Sequence, residues 1–526
     1  MKKTAVLSLI FLTGLLIFHA LNNFIWLAHD NSLRGCDVIV HLNRQLHFFY
    51  GAEHIFSSGQ SFLEKIHNAL LSMRFSDNPS WPKSVYAVAS LVNVLFGRGA
   101  NVSINSNLIY LSVLIAAVYL LGKEYGGNDA GLTAAAFIGL YPVVWGLSRK
   151  FGLDLPLTAF AAVCVYALIK TDGFKNRFFS VLFGIFLGAA MLIKLQAAIF
   201  VAGPLGYVVS RELGYFLKHR QAPTKAQSGV LRGQLSNLVV ALALAGAVSS
   251  FWWFFNFSLI WKSFFRHCRG DIPVIDWQLR RGMNACRWMF FYARETIINI
   301  SPLFLAVFAV AAAKLVINRV KKINMLLVWI ALPYIIFTLI TVKRDRYLIP
   351  VLPAIAVLSA VGIGSFKPAW IKKALVTLIF TLGLVQFFTL SYDMNLTGAF
   401  LFDNKFRSSW AHAPSRNNYE HAVRELFLNV EAAPNSPVLI IPGKDIFAAD
   451  NAVLIEYLGA SHYFPGFLPY VFDKRAGRAP DAPFLITTAD LDASLQENLV
   501  GGQYQLAAES RLYPEKLPIY LWRKTE

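Results

Sequence analysis

The sequence predicts a mainly α, polytopic membrane protein: a bundle of about eleven transmembrane helices followed by a small extracytoplasmic α/β domain. Three observations predict it. Of 526 residues, 56% are hydrophobic and only 15% charged, and the mean hydropathy is +0.49, too apolar for a soluble chain of this size. The apolar residues fall in blocks of roughly 17–25, the length that crosses a bilayer core. From about Ser391 onward Pro414, Pro434, Pro437 and many polar residues replace those blocks, and short β-like runs take over.

In chain order, the first span runs from Ala5 to about Trp26 behind Met1-Lys-Lys. It resembles a signal peptide, but the many spans that follow favour an uncleaved first helix. Residues 27–104 form the first extracytoplasmic loop. Within it Ser84–Gly97 is apolar yet only about 14 residues long, too short to span, and reads as an interfacial helix on the outer surface. Further spans fall near 106–122, 128–147, 156–170, 178–193, 196–210, 235–260, 297–316, 323–341, 347–364 and 371–390. Residues 1–390 are thus a membrane domain and 391–526 a soluble α/β domain. There, strands are expected at Val438–Ile441, Phe484–Thr487 and Leu517–Trp522, and helices at Tyr419–Val430 and Ala448–Leu458. No GxGxxG or P-loop occurs in that domain, so no nucleotide site is expected.

The net charge is +19. In a soluble protein that would suggest nucleic acid. Here most cations lie in short loops between apolar blocks and no nucleic-acid motif accompanies them, so the expected partners are anionic membrane lipids. With the N-terminus inside, inner loops carry Lys170, Lys175 and Arg177, then Arg211, Lys218, Arg220, Lys225 and Arg232. Later ones carry Lys314, Arg319, Lys321 and Lys322, then Lys367, Lys372 and Lys373. Two outer segments break the rule: Trp261–Glu295, with six arginines, and the turn Lys343-Arg344-Asp345-Arg346. Basic outer loops beside a membrane call for a functional explanation. Four cysteines are too few for a disulfide scaffold, and Cys268 and Cys286, which share a loop, either pair or stay inert thiols.

Four stretches and the single residue Lys194 could carry chemistry. In Arg34-Gly-Cys-Asp37-Val-Ile-Val-His41, just past the first span, Asp37 and His41 share a face if the stretch is helical. An acid there can serve as base toward a substrate at the lipid surface; the plain alternative is a solvated Asp and a helix-surface His. In Ser148-Arg149-Lys150-Phe-Gly-Leu-Asp154-Leu-Pro156, Pro156 suits a first helical turn and Asp154 would sit at the helix N-terminus, where negative charge is favoured. Its plain reading is a helix cap. Lys343-Arg344-Asp345-Arg346-Tyr347-Leu-Ile-Pro350-Val-Leu-Pro353 crowds three cations into four residues, either a snorkelling belt or a clamp on a phosphate at the membrane surface. Lys194, alone between two apolar runs, either ends a span or faces the same phosphate. The loop Arg266-His267-Cys268-Arg269 with Asp271 and Asp276 mixes metal-ligand types with cations at a spacing that matches no metal motif.

The ordered set resembles the GT-C class of membrane glycosyltransferases, and within it the bacterial protein-mannosyltransferase-like enzymes, including the transferase that puts aminoarabinose on lipid A. The residues that carry the resemblance are Asp37 with His41, Tyr86…Leu95-Phe96-Gly97, Tyr119…Gly122, and Gly126-Gly127…Ala130-Gly131-Leu132. After them come Ser148-Arg149…Asp154-Leu-Pro156 and Lys343…Arg346-Tyr347-Leu-Ile-Pro350-Val-Leu-Pro353. The resemblance covers about residues 1–360. It implies sugar transfer from a polyprenyl-phosphate donor to a protein, lipid or glycan acceptor on the extracytoplasmic face of a bacterial inner membrane. Asp37 maps onto the family's base and Asp154 onto its second required acid. Lys343, Arg344, Arg346, Lys194 and Arg149 would then meet the donor phosphate, with His41, Tyr347 and His267 lining the pocket. Two departures stand out. Val38 follows Asp37 where relatives often have Asp-Glu, and Ser80-Trp81-Pro82-Lys83 replaces the Glu-Lys-Pro of the lipid A enzyme. They argue against a lipid A acceptor and leave a divalent cation an open question. A lipid-linked saccharide flippase is the alternative, but transporters place ionisable residues within spans, whereas these charges cluster at span ends. A non-catalytic scaffold presenting the C-terminal domain is the third reading.

Overall fold

The computed structural model describes residues 2–32, 36–74, 81–218, 225–269, 285–340, 343–394, 408–416, 419–428, 438–441, 470–471, 484–488, 504–512 and 517–524. Helix α1 (Lys2–His29) is followed by α2 (Cys36–Ser57), α3 (Phe62–Arg74), α4 (Ser84–Phe96) and α5 (Ala100–Asn105). The bundle continues through α6 (Asn107–Leu140), α7 (Pro142–Ser148), α8 (Asp154–Lys170), α9 (Arg177–Met191), α10 (Ala197–Lys218) and α11 (Lys225–Arg269). After the short α12 (Ala285–Met289) come α13 (Phe291–Ile317), α14 (Asn324–Leu339), α15 (Leu352–Gly364) and α16 (Ala369–Tyr392).

Among the described residues, six stretches are long and apolar enough to cross a membrane: Thr4–His29, Ala100–Leu140, Gly229–Lys262, Phe291–Ile317, Lys321–Leu339 and Ala369–Tyr392. The other expected spans also fall on helices, α8, α9, α10 and α15. The protein is a multi-pass membrane protein. Its outer helices turn apolar residues outward, as α1 does with Leu9, Ile10, Ile17, Leu21 and Phe24, while α8 and α15 are buried along most of their length. Lipid is as apolar as those side chains, so the outward residues need no partner.

Helix α6 supplies two of the expected spans because Gly127 breaks it, with φ +78° and ψ −174°. The two legs fold back on each other. A Cβ on Gly131 would stand 2.7 Å from the Tyr119 carbonyl oxygen, and one on Gly122 2.8 Å from that of Ala130. Ion pairs fasten this end of the bundle, Lys170 to Glu124 at 3.0 Å and Lys372 to Asp129 at 2.9 Å. Helix α8 starts at the opposite end with Asp154. At about 1.5 Å rise per residue, Asp154 and Lys170 lie roughly 24 Å apart. The bundle therefore has two chemically distinct ends, one built around each.

The stretch expected to lie on the surface forms α4, 13 residues long. It buries Val85, Tyr86, Ala89, Ser90 and Asn93 and leaves Leu91, Val94, Leu95 and Phe96 exposed. A polar chain fixes its buried face: Gln45 Nε2 donates to Ser90 Oγ at 3.1 Å, Ser103 Oγ to Gln45 Oε1 at 3.0 Å, and Asn93 Nδ2 to Ser103 Oγ at 2.9 Å.

After the bundle come α17 (Tyr419–Leu428) and strands β1 (Val438–Ile441), β2 (Tyr470–Val471), β3 (Phe484–Thr488), β4 (Tyr504–Leu512) and β5 (Leu517–Lys524). The sheet order is β2-β1-β3-β5-β4. β1 is parallel to β2 and β3, and β5 lies antiparallel between β3 and β4. Strands appear at all three expected positions. β2 and β4, which sequence reading passed over, are the two edges. β4 contains Ala507-Ala508-Glu509-Ser510 and a bulge between Leu506 and Ala508, a composition poor in strand formers that pairing to β5 overrides. The expected helix Ala448–Leu458 lies outside the described residues. Cys164 and Cys286 are free thiols; the side chain of Cys268 lies outside the described residues.

Gly127 has nothing within 4 Å of an added Cβ, so only its left-handed backbone resists substitution. Gly127→Ala is expected to destabilise by about 1–2 kcal/mol. Gly14→Ala, equally open but inside straight α1, is expected to be neutral or stabilising. Thermal unfolding of the detergent-solubilised variants measures the difference.

Candidate active site

Two carboxylates meet at the Asp154 end, each supplied by the first turn of a helix, Asp37 by α2 and Asp154 by α8. Negative charge is favoured there by the helix dipole, and Pro156 in the first turn of α8 fits a position that needs no amide donor. Arg346, from the turn between α14 and the 3-10 helix Ile349–Val351, reaches between them. One end of its guanidinium pairs with Asp37 Oδ2, and its Nε lies 3.4 Å from Asp154 Oδ2. Lys194, in the turn that joins α9 to α10, completes the group, with Nζ 2.6 Å from Asp154 Oδ1. Two anions and two cations form a neutral quartet.

Exposure separates the carboxylates. Asp154 is 11% exposed and gripped from both sides, whereas Asp37 is 35% exposed. Asp37 is thus the more accessible of the two acids. Burial works against the Asp37 charge, but the Arg346 guanidinium beside it outweighs burial and holds the carboxyl below its ordinary value. Arg346 Nε is buried and faces Asp154 without forming a hydrogen bond to it.

His41 follows Asp37 by one helical turn and is buried. Burial, reinforced by the Lys194 charge, pushes its imidazole down to about 3, so it is neutral at physiological pH. Its Nδ1 shares a 2.7 Å hydrogen bond with the Tyr86 hydroxyl, and its ring packs against Trp81 with centroids 4.8 Å apart. Sequence reading placed His41 in the pocket but did not find these two partners. Tyr86 stood in the motif set without a role, because its neighbour belongs to a different helix.

Lys343 and Arg149 have other partners. Lys343 is turned away from the quartet: its ammonium donates to the Phe337 and Thr338 carbonyls at 2.7 Å each and lies 4.3 Å from the Trp288 ring centroid. It caps the end of α14, where orphan carbonyls need donors, and burial pushes it down to about 8. Arg149 is likewise an internal pin. Its Nε donates to Asn23 Oδ1 and Nη1 to Ser391 Oγ, both at 3.0 Å, and the guanidinium lies 4.9 Å from the Trp145 ring. Arg344 and Tyr347 are half-buried in the turn beside Arg346, Tyr347 packing 5.3 Å from Phe337. The side chain of His267 lies outside the described residues.

Among the described residues no group of three or more His, Cys, Asp and Glu side chains converges. The two carboxylates already face two cations that a divalent ion would repel. The described residues therefore do not fit a metal here.

The fold is that of the GT-C class of membrane glycosyltransferases. ArnT from Cupriavidus metallidurans, solved bound to undecaprenyl phosphate, superposes with a TM-score of 0.54 at 12% identity, covering 97% of each chain. Residues 81–227 match the family described as dolichyl-phosphate-mannose-protein mannosyltransferase. The Archaeoglobus fulgidus oligosaccharyltransferase covers 87% of this chain and 64% of its own, at 14% identity and a TM-score of 0.49. An uncharacterized protein of Aquifex aeolicus is 23% identical over 344 residues, 65% of this chain and 63% of its own length, so this match spans less than two thirds of that relative.

Removing Arg346 leaves burial of Asp37 unopposed. Because the folded value of Asp37 is depressed, its contribution is complete above the unfolded carboxylate value of about 4 and disappears as pH falls through the lower folded value. Arg346→Ala is therefore expected to destabilise by about 1–3 kcal/mol at pH 7, a deficit that shrinks below about pH 4. Unfolding curves of both proteins between acid and neutral pH measure it.

Proposed function

We propose that this protein transfers a sugar from a polyprenyl-phosphate donor to an acceptor hydroxyl on the extracytoplasmic face of a bacterial inner membrane. The observation that carries the reading is the quartet: an accessible carboxylate, Asp37, beside a buried one, Asp154, joined by one guanidinium, with Lys194 on the deeper acid. Its place at one bundle end suits an amphiphilic donor whose tail stays in lipid while its phosphate reaches the charges. That the solved ArnT holds undecaprenyl phosphate supports the same donor class here.

In this mechanism the acceptor oxygen attacks the anomeric carbon and forms the new glycosidic bond. The bond from that carbon to the phosphate oxygen breaks, and its electron pair leaves with polyprenyl phosphate. The hydroxyl proton passes to Asp37. Such general base assistance contributes about 10²–10⁴-fold. Arg346 and Lys194 stabilise the charge that grows on the leaving phosphate. Arriving phosphate also competes with Asp37 for the guanidinium. Any weakening of that pair raises the proton affinity of Asp37, making it a better base once donor is bound. One displacement inverts the anomeric centre. The sugar–phosphate bond supplies the driving force, so a nucleotide is not needed.

The test is to incubate purified protein with a panel of polyprenyl-phosphate sugars and an acceptor, and to measure released polyprenyl phosphate. Asp37→Asn is expected to lower the rate by about 100-fold or more while the chain remains inserted and folded; undiminished release would remove Asp37 from the chemistry. The anomeric configuration of the product, read by NMR, is expected to be opposite to that of the donor.

A further inference from the structure

Residues Ser408–Arg416 follow the last bundle helix in sequence, yet they lie on the bundle end that carries the quartet. Trp26 Nε1 donates to the His412 carbonyl at 3.0 Å, and the Ser415 amide donates to Asp30 Oδ1 at 2.8 Å. Lys150 Nζ stands 5.1 Å from the Trp410 ring centroid. Closest of all is α7, where a Cβ on Gly146 would come within 2.3 Å of the Trp410 carbonyl oxygen. Only glycine at that position lets the strap seat.

From this seat the strap reaches the turn that carries Arg346. Trp410 Nε1 donates to Asp345 Oδ2 at 2.9 Å, and Ser409 Oγ donates to the same oxygen at 3.2 Å. On its other side Asn299 Nδ2 donates to the Asp345 carbonyl at 2.9 Å. The Arg346 guanidinium lies 5.7 Å from the Trp410 ring centroid. Asp345 and Arg346 are adjacent, so whatever fixes Asp345 fixes the backbone from which the guanidinium reaches the two carboxylates. A long, flexible side chain is placed reproducibly only when its root is held.

We infer that Trp410 and Asp345 are positioning residues for Arg346, and that a strap from the C-terminal region is thereby a working part of the transferase site. This rests on the transferase reading above. The strap does not touch the reacting atoms; it acts through Arg346.

Three variants of the full chain test it. Trp410→Phe keeps a ring beside Arg346 and removes the indole N–H. Gly146→Ala unseats the strap by a backbone clash without touching a charged residue. Asp345→Asn keeps an acceptor for the indole and serves as the conservative control. The first measurement needs no substrate: amide hydrogen exchange of residues 343–351 is expected to speed up about tenfold in Trp410→Phe and Gly146→Ala, and much less in Asp345→Asn. The second is turnover of the polyprenyl-phosphate sugar that the wild-type chain uses. There kcat is expected to fall about tenfold in the first two variants with KM little changed, and Trp410→Phe is expected to add nothing in an Arg346→Ala background. Unchanged exchange at 343–351 would overturn the inference, as would a Trp410→Phe loss that simply adds to that of Arg346→Ala. If exchange responds as expected but the wild-type chain turns over no polyprenyl-phosphate sugar, the transferase reading falls and the strap still positions Arg346.

Discussion

Everything at the reactive end depends on one guanidinium shared by two acids. Two carboxylates brought together in a poorly hydrated place repel, and at least one would take up a proton unless a cation lay between them. Arg346 removes that repulsion for Asp37 and Asp154 at once. Lys194 then balances the deeper acid, so the group is neutral without any acid giving up its charge. In the transferase reading proposed above, Asp154 is a fixed counter-charge that aims Arg346, and Asp37, the more open acid, is the one that takes up the proton. The division of labour follows from exposure, since both are the same residue type.

The scaffold holds these four residues apart in sequence and together in space by simple means. Each acid opens a helix, and each cation sits in a turn between helices. Helix α8 is the central strut: packed on nearly all sides, it carries Asp154 at one end and Lys170 at the other. Its acidic start and basic finish both complement the helix dipole. The Gly127 hairpin lets two spans of α6 wrap it without a connecting loop.

How much of this could be read from sequence varied with the range of the interaction. Block lengths of apolar residues located the bundle, because membrane thickness acts on each helix separately. The four-residue spacing of Asp37 and His41, and Asp154 ahead of Pro156, were legible because helix geometry is local. The cation-dense turn around Arg346 stood out against the charge rule for inner loops. What could not be read was which cation of that turn faces the acids. Neighbours in a tight turn point in different directions, and Lys343 is drawn to the carbonyls at the end of α14 and the Trp288 face instead. Arg149 is claimed by Asn23 and Ser391, partners on helices far away in sequence. Trp410 carried no local signal at all; its meaning comes from packing on Gly146 and Asp345.

Balanced charge has a further effect. A mouth lined with uncompensated arginines would draw anionic lipids from a distance and lose that pull as salt screened it. Two acids matched by two bases exert little field beyond contact range. On the transferase reading proposed above, the quartet itself adds little long-range pull on an anionic donor, and lateral diffusion within the leaflet brings the two into contact.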